Sequence, residues 1–277
     1  MEHQNDPNDF AFRNPGEQKI LNLYNQRLRS LPDSLWSASA LEVLNVGNNE
    51  LTTLPENLGS LKNLRMLDLG HNHFGSIPES IGKLTKLRFL YMSDNGFHSV
   101  PASIGKLKEL QYLNITDNQL TEFPEGITRL PRLIELRLYN NRIDSLPESI
   151  YKLRDLREIY LMKNQLGALP RSIGRLKNLK KLMLENNRIE SLPETIGDMT
   201  SLTDLDLRFN SLMALPHSMG DLKNLRFMDL RANRLSALPA GISKLRKLEK
   251  LDLRWNQFQE IPPGIDQLRK RGCIVYL

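Results

Sequence analysis

The sequence repeats itself with a period of 23 residues. Three near-copies, LDLRFN, MDLRAN and LDLRWN, begin at Leu205, Met228 and Leu251. The same frame fits units that start at 248, 225, 202, 179, 156, 133, 110, 87, 64 and 41, and more loosely at 18. A fixed period of about 20 to 50 residues is typical of stacked units that bury their apolar faces only against their neighbours. The chain is therefore predicted to form one elongated stack of eleven units.

Each unit fits the frame L-x-x-L-x-L-x-x-N-x-L-x-x-L-P-x-x-I-G-x-L-x-x, numbered here from its first Leu. Positions one to six alternate apolar and variable residues, which predicts a strand with one buried face. Asn at position nine runs from Asn49 to Asn256, with Gln26 in the first unit, and its amide both donates and accepts hydrogen bonds. A buried Asn column is expected to satisfy backbone groups where the strands end. Pro at position fifteen is expected to be the first residue of a short helical turn.

The segment IPESIGKLTKLRFLYMSDN (77–95) resembles the leucine-rich repeat family. Its 23-residue form, with L-P-x-x-I-G-x-L, is similar to the intracellular Ras-group scaffolds and to bacterial repeat proteins. The resemblance implies an α/β fold, a right-handed leucine-rich-repeat solenoid or horseshoe. A parallel sheet is expected on the concave face, and short helical or 3-10 returns on the convex face. The implied domains are an N-terminal cap (1–17), eleven repeats (18–270) and a closing strand (271–277).

The net charge of +6 raises the question of nucleic-acid binding. Acidic residues such as Glu79 follow the Pro of a unit, and basic residues such as Lys83 come later in the same turn. This order complements the dipole of a short helix, so most of the basic excess has a structural explanation. Aromatic residues do not interleave with these bases, as they do in nucleic-acid stacking platforms. Nucleic acid is therefore the disfavoured partner.

Cysteine usage and hydropathy indicate the compartment. Cys273 is the only cysteine, so no internal disulfide can form, and the cysteine-rich caps of extracellular leucine-rich repeats are missing. The first residues contain no apolar segment of a secretory signal, and no run approaches the ~18 apolar residues of a spanning helix. We expect a cytoplasmic monomer that does not bind membranes. Phe10 and Phe12 are expected to cover the open end of the first repeat.

The sequence contains none of the common enzyme motifs. There is no G-x-x-x-x-G-K-[ST] loop, no G-x-S-x-G elbow and no H-E-x-x-H, and the glycines recur at position nineteen rather than in phosphate-binding clusters. His71, His73 and Asp94 form one candidate metal site, but a turn interrupts the strand there and no third strong ligand follows. We expect no catalytic residue, no cofactor and no metal.

Positions three, five, seven and eight are expected to point to the concave side. An aromatic band with Met at its margins and one Arg lies there, a composition typical of binding hot spots, although the rings could instead only cover the strand backbone. The predicted partner-binding residues of the band are Met66, Phe89, Tyr91, Tyr112, Arg137, Tyr139, Tyr160, Met162 and Met183.

A second, C-terminal strip is built from the three D-L-R copies. Asp206, Asp229 and Asp252 form one column of the predicted sheet, and the arginines two residues later form the next. The two columns can neutralise each other as a lattice, or the guanidinium groups can take carboxylates of a partner. The predicted binding residues of this strip are Arg208, Arg231, Arg254 and Trp255.

The favoured function is a non-catalytic intracellular scaffold for signalling that binds a protein partner on its concave face. One alternative is the substrate-recognition domain of a larger signalling enzyme or bacterial effector, such as a kinase, GTPase or ubiquitin ligase. Another is recognition of a non-protein ligand such as a glycan or lipid. The fold does not choose among them, because one fold hosts many functions.

Overall fold

A computed structural model describes residues 17–277, so the role expected of Phe10 and Phe12 lies outside the described residues. Within this range, twelve short strands form a single sheet in which every strand pairs in parallel with its neighbours in sequence. The strands are β1 (Ile20–Asn22), β2 (Val43–Asn45), β3 (Met66–Asp68), β4 (Phe89–Tyr91), β5 (Tyr112–Asn114), β6 (Glu135–Arg137), β7 (Glu158–Tyr160), β8 (Lys181–Met183), β9 (Asp204–Asp206), β10 (Phe227–Asp229), β11 (Lys250–Asp252) and β12 (Ile274–Tyr276). The predicted solenoid is confirmed.

Strand pairing follows the 23-residue period, so equivalent residues stack in columns. Leu113 in β5 pairs with Leu136 in β6, and both are fully buried. The residues on either side of each buried centre point to the inner face, where they can meet a partner. β12 pairs with β11 at an offset of 24 residues, Leu251 opposite Val275, because the α-helix α1 (Ile265–Lys270) replaces the usual return.

Ten 3-10 turns carry the chain back across the convex side of the described stack. They span Asp33–Ser37, Glu56–Ser60, Glu79–Lys83, Ala102–Lys106, Glu125–Arg129, Glu148–Lys152, Arg171–Arg175, Glu194–Asp198, His217–Asp221 and Ala240–Lys244. Each Pro lies one residue before its turn, so its expected place as the first helical residue is wrong. Pro147, for example, has an extended ψ of 150°, and its carbonyl accepts the N–H of Ile150 at 3.0 Å to close the first turn.

Glycine at position nineteen lets neighbouring turns touch through their backbones. A Cβ placed on Gly174 would lie 2.1 Å from the carbonyl oxygen of Thr195, and one on Gly220 would lie 2.3 Å from that of Gly241. Neither site has room for a side chain. The recurrence of glycine in the frame is therefore a packing requirement of the convex side.

The acidic residue after Pro lies in the first turn of its own 3-10 helix and also binds the following turn. The carboxylate of Glu194 accepts the backbone N–H groups of His217 and Ser218, in the next repeat, at 3.1 and 3.0 Å. These hydrogen bonds lower the pKa of Glu194. Glu148 does the same for the turn that begins at Arg171. The expected place of the acid in the first turn of its own 3-10 helix is confirmed, and the structure adds a contact between repeats.

The Asn column performs the predicted backbone role. The amide nitrogen of Asn141 donates to the carbonyls of Ile115 and Leu138, at 2.9 and 3.0 Å, and its Oδ1 accepts the N–H of Leu120 at 3.0 Å. Ile115 and Leu120 belong to the preceding repeat. Equivalent bonds recur from Asn49 to Asn256, so each loop is closed by the Asn of the next repeat.

Position eight has a left-handed backbone in every repeat. Its φ angles lie between 52° and 62° from Asn48 to Trp255. Early repeats use Asn, Asp or His, which tolerate this conformation, but the last three carry Phe209, Ala232 and Trp255. Position eight therefore belongs to the turn that ends each strand. A bulky residue there costs about 1 kcal/mol or more.

No helix between residues 17 and 277 combines the length and the apolar character needed to cross a bilayer.

Candidate binding surface

The aromatic band forms a continuous row of rings across the middle strands. Tyr91 and Tyr112 pack with their ring centroids 5.0 Å apart. The guanidinium of Arg137 lies between two rings, 5.6 Å from the centroid of Tyr112 and 5.0 Å from that of Tyr160. Phe89 is exposed, and the tyrosines are half-buried. Each half-buried ring therefore covers part of the sheet and still presents a surface to solvent.

Hydrogen bonds to acidic neighbours fix the orientation of this row. The hydroxyl of Tyr160 donates to Glu158 at 2.6 Å, and Nε of Arg137 donates to Glu135 at 2.6 Å. Burial and the bond to Glu158 raise the pKa of Tyr160. Burial alone would raise the pKa of Glu158, but the bonds from Tyr160 and Lys181 outweigh it and lower that pKa. These side chains are thus held in place before any partner arrives.

The remaining predicted residues of the band lie at its margins. Met66 precedes the row on β3, Tyr139 and Met162 follow β6 and β7, and Met183 ends β8. All four are half-buried. The band therefore presents flexible Met side chains around a fixed aromatic centre, a combination suited to binding.

The C-terminal strip is largely an internal lattice of ion pairs. Arg231 lies 2.6 Å from Asp229, and Arg254 lies 2.7 Å from Asp252, each reaching the carboxylate two residues earlier. Arg208 lies 3.2 Å from Asp206 and also reaches across to Glu185 on the preceding repeat, at 2.6 Å. The guanidinium groups thus already have carboxylate partners.

The aspartates of this lattice differ in environment. Burial raises the pKa of Asp206 to about 6. The nearby Asp229 and Glu185 carboxylates raise it further, whereas the backbone N–H and the charge of Arg208 partly offset the increase. Burial acts to raise the pKa of Asp252 as well. Hydrogen bonds from the side-chain and backbone N–H groups of Arg254 outweigh burial, so the pKa of Asp252 lies below its usual value. Aspartates at equivalent positions of different repeats therefore have pKa values shifted in opposite directions.

Trp255 of the strip forms an exposed aromatic pair with Phe209. Phe209 and Trp255 lie two repeats apart, yet their ring centroids are 6.3 Å apart because Ala232 between them leaves room. Trp255 is 64% exposed, and the guanidinium of Arg254 lies 5.7 Å from its ring. Small residues between two aromatics in one column are the signal that predicts such a pair.

The histidine cluster contains one close contact between an imidazole and a carboxylate. Nδ1 of His71 lies 2.8 Å from Asp94, and both side chains are exposed. Among residues 17–277, no group of three His, Cys, Asp or Glu side chains is arranged to bind a metal ion.

The stacked parallel strands and the row of partly exposed rings define a repeat solenoid of the protein-interaction class. A model of the leucine-rich repeat region matches residues 64–142 and 135–214, and two further leucine-rich repeat models match residues 18–74 and 247–268. The chain belongs to the leucine-rich repeat family. No curated protein matches it at the level of sequence.

Solved structures share this architecture. The functional domain of InlJ from Listeria monocytogenes is similar with a TM-score of 0.80 and 24% identity, over 95% of this chain and 53% of that one. The ectodomain of the Arabidopsis thaliana receptor kinase GASSHO1/SCHENGEN3, solved in complex with CASPARIAN STRIP INTEGRITY FACTOR 2, gives 0.66 and 32%, over 89% and 33%. A chain of the octameric complex of Latrophilin 3, Unc5D and FLRT2 gives 0.72 and 26%, over 86% and 75%. The chain thus spans about half of the first structure and a third of the second.

Proposed function

We propose that this protein is a non-catalytic scaffold that binds a protein partner on its concave face, centred on the aromatic band. The observation that carries the proposal is the fixed row of Tyr91, Tyr112, Arg137 and Tyr160, whose half-buried side chains are oriented by neighbouring rings and carboxylates. Aromatic and Arg side chains dominate binding energy at interfaces, and preorganised side chains lose little entropy on binding. The two complexes above are both protein complexes, which supports a protein as ligand.

The charges around the band indicate the partner's chemistry. Between β3 and β7, positions three, five, seven and eight carry five carboxylates (Asp68, Asp94, Asp117, Glu135 and Glu158) and two cations (Arg137 and Lys163). The chain as a whole carries +6, so this surface is acidic on a basic molecule. Cations bind both carboxylates and ring faces. The proposed partner therefore presents a segment that contains Lys or Arg.

Asp68 is a specific anchor for such a cation. Burial raises its pKa, and the N–H of Gly70, which donates to it at 2.9 Å, only partly offsets this. A partner cation beside Asp68 would stabilise the ionised carboxylate. Affinity is accordingly expected to fall as the pH falls through the pKa of Asp68.

The C-terminal strip is the second set in the proposal. Trp255 offers an exposed ring there. Arg208, Arg231 and Arg254 would contact partner carboxylates by exchanging their present pairs with Glu185, Asp229 and Asp252. Their variants are to be tested after those of the band.

The proposal also places the protein in the cytoplasm, as a monomer of the 23-residue intracellular type. Cys273 is buried, and burial raises the pKa of its thiol, which keeps it in the unreactive protonated form. Cys273 is the only cysteine of the sequence, so no internal disulfide forms, which favours a reducing compartment. Light scattering on the purified protein is expected to give the mass of one chain.

The test begins with affinity capture of the partner from cytosol, followed by titration of the identified partner. Truncating Tyr112 or Tyr160 to Ala should each weaken binding by about 2 kcal/mol or more, because large rings at an interface centre carry most of its energy. The control is a triple change of Lys83, Lys106 and Arg129 to Glu on the outer ridge, which should alter mainly the association rate. Loss of binding in the control but not in the truncations would overturn the concave-face proposal.

A further inference from the structure

A groove of about 560 Å³ lies on the convex side, between the turns His217–Asp221 and Ala240–Lys244 and the residues after α1. Five side chains that line it are cations and one is a carboxylate. They are Lys223, Lys244, Arg246, Lys247 and Arg271, with Asp221. The lining thus carries a net charge of about +4 when these side chains are in their usual ionised states.

The five cations are not neutralised by neighbours. Among residues 17–277, none of them has a carboxylate oxygen within ion-pair distance. Nζ of Lys247 donates to the side-chain oxygen of Asn224 at 2.7 Å, and the guanidinium of Arg271 donates to the carbonyl of Ser243. Both acceptors are uncharged, so these bonds orient the cations without offsetting their charge.

This concentration of charge exceeds that of the pair of turns one repeat earlier, and Arg271 adds to it from outside the repeat frame. One repeat earlier, the equivalent positions of the two turns hold Asp198 and Asp221, followed by Thr200 and Lys223. At the groove, Lys244 takes the place of an aspartate, Arg246 follows it, and Arg271 enters from the end of α1. The repeat frame, which also places Lys152 and Arg175 late in earlier turns, accounts for part of the cluster, and Arg271 is added from outside it.

We propose that this groove binds a group that carries several phosphates. A phosphate monoester carries about −1.5 to −2 charges on three acceptor oxygens, so two or three of them match the lining within the volume of the groove. Carboxylates would need about four groups in the same space. Arg246 and Arg271 supply planar forks for bidentate contacts, and the lysines supply point charges. The site is separate from the concave face.

The phosphates can belong to a soluble molecule or to a lipid headgroup, and binding assays separate the two. Tripolyphosphate is titrated into the full chain by calorimetry. Vesicles of phosphatidylcholine with a minor fraction of phosphatidylinositol bisphosphate are tested by flotation, against vesicles that carry phosphatidylserine at equal charge. Binding of tripolyphosphate alone assigns a soluble ligand. Preference for the bisphosphate vesicles over phosphatidylserine assigns a headgroup.

The site variant replaces Lys244 and Arg246 by Gln. The matched control replaces Lys83 and Lys106, which lie on distant turns of the same ridge, also by Gln. All four side chains are exposed, so folding should be retained, as circular dichroism will verify. We expect at least about a tenfold loss of affinity in the site variant, since one lost charge-assisted hydrogen bond corresponds to about a factor of ten. The control should bind like wild type.

Three outcomes would overturn the proposal. One is an equal loss in both variants, which would mean diffuse attraction by the whole ridge. Another is that neither phosphate probe binds. The third is that a tetraglutamate peptide binds as tightly as tripolyphosphate, which would assign the groove to an acidic protein segment.

Discussion

Asp206 should weaken the fold at neutral pH, and replacing it with Asn should stabilise the protein. Its side chain lies at position five, where β1, β2 and β5 carry Asn22, Asn45 and Asn114. In all these repeats, the side-chain oxygen accepts the N–H of the residue two positions later, at 2.9 to 3.1 Å. Asn at position 206 can therefore keep this hydrogen bond while removing the charge.

The size of the effect follows from the pKa of Asp206, which burial raises from 3.8 to about 6. A shift of about two units corresponds to about 3 kcal/mol, at about 1.4 kcal/mol for each unit. Asp206 holds its proton more tightly in the folded state than in the unfolded state. The stability that protonation contributes is therefore complete below pH 3.8 and is lost as the pH rises through about 6. Asp206→Asn should thus gain up to about 3 kcal/mol near pH 7.5 and almost nothing near pH 3.5.

The assay is urea unfolding of wild type and variant at about pH 7.5 and about pH 3.5, read as the shift of the midpoint. The matched control is Asp252→Asn, at the equivalent position two repeats later. Arg254 lowers the pKa of Asp252, so its stabilisation is present above the unfolded pKa and is lost as the pH falls. This variant should therefore be destabilised at neutral pH. A loss of stability in Asp206→Asn near pH 7.5, or the same sign in both variants, would refute the argument.

Two further predictions concern packing. Leu136→Asp places a carboxylate in a fully buried column and should lower the free energy of unfolding by several kcal/mol. The control Ile134→Asp, at a partly exposed position, should change the melting temperature little. Equal melting temperatures of the two variants would contradict the repeat frame. Gly174→Ala puts a Cβ 2.1 Å from the carbonyl oxygen of Thr195 and should cost about 1 to 3 kcal/mol in urea unfolding, whereas Gly167→Ala, with no atom within 4 Å of the new Cβ, should be close to neutral.

The period and the alternation of residues predicted the fold because each fixed letter has one dominant local role. The Asn column follows from the need to satisfy buried backbone groups, and Asn141 performs that role. Pro147 lies one residue earlier than this local role predicts, because its fixed φ suits an extended residue before a turn as well as a residue within it.

Other features depend on contacts between repeats, which a single frame does not contain. Arg208 bonds to Glu185 rather than only to its own Asp206, and Glu194 serves the next turn. The Asn and Asp residues at position eight of earlier repeats are typical of a left-handed backbone, but Phe209 at the same position of a later repeat is not. The aromatic band was predicted as a set of residues, while the stacking around Arg137 needed coordinates.

The direction of the Asn hydrogen bonds has a consequence for the growing chain on the ribosome. The N–H of Leu120 and the carbonyl of Ile115 have no hydrogen bond to Asn141 until Asn141 is synthesised, 21 and 26 residues later. Each loop therefore stays incomplete until most of another repeat has left the exit tunnel. A pause in translation within a repeat leaves the previous loop open, so assembly should advance from the N-terminus in steps of one repeat, always one step behind synthesis.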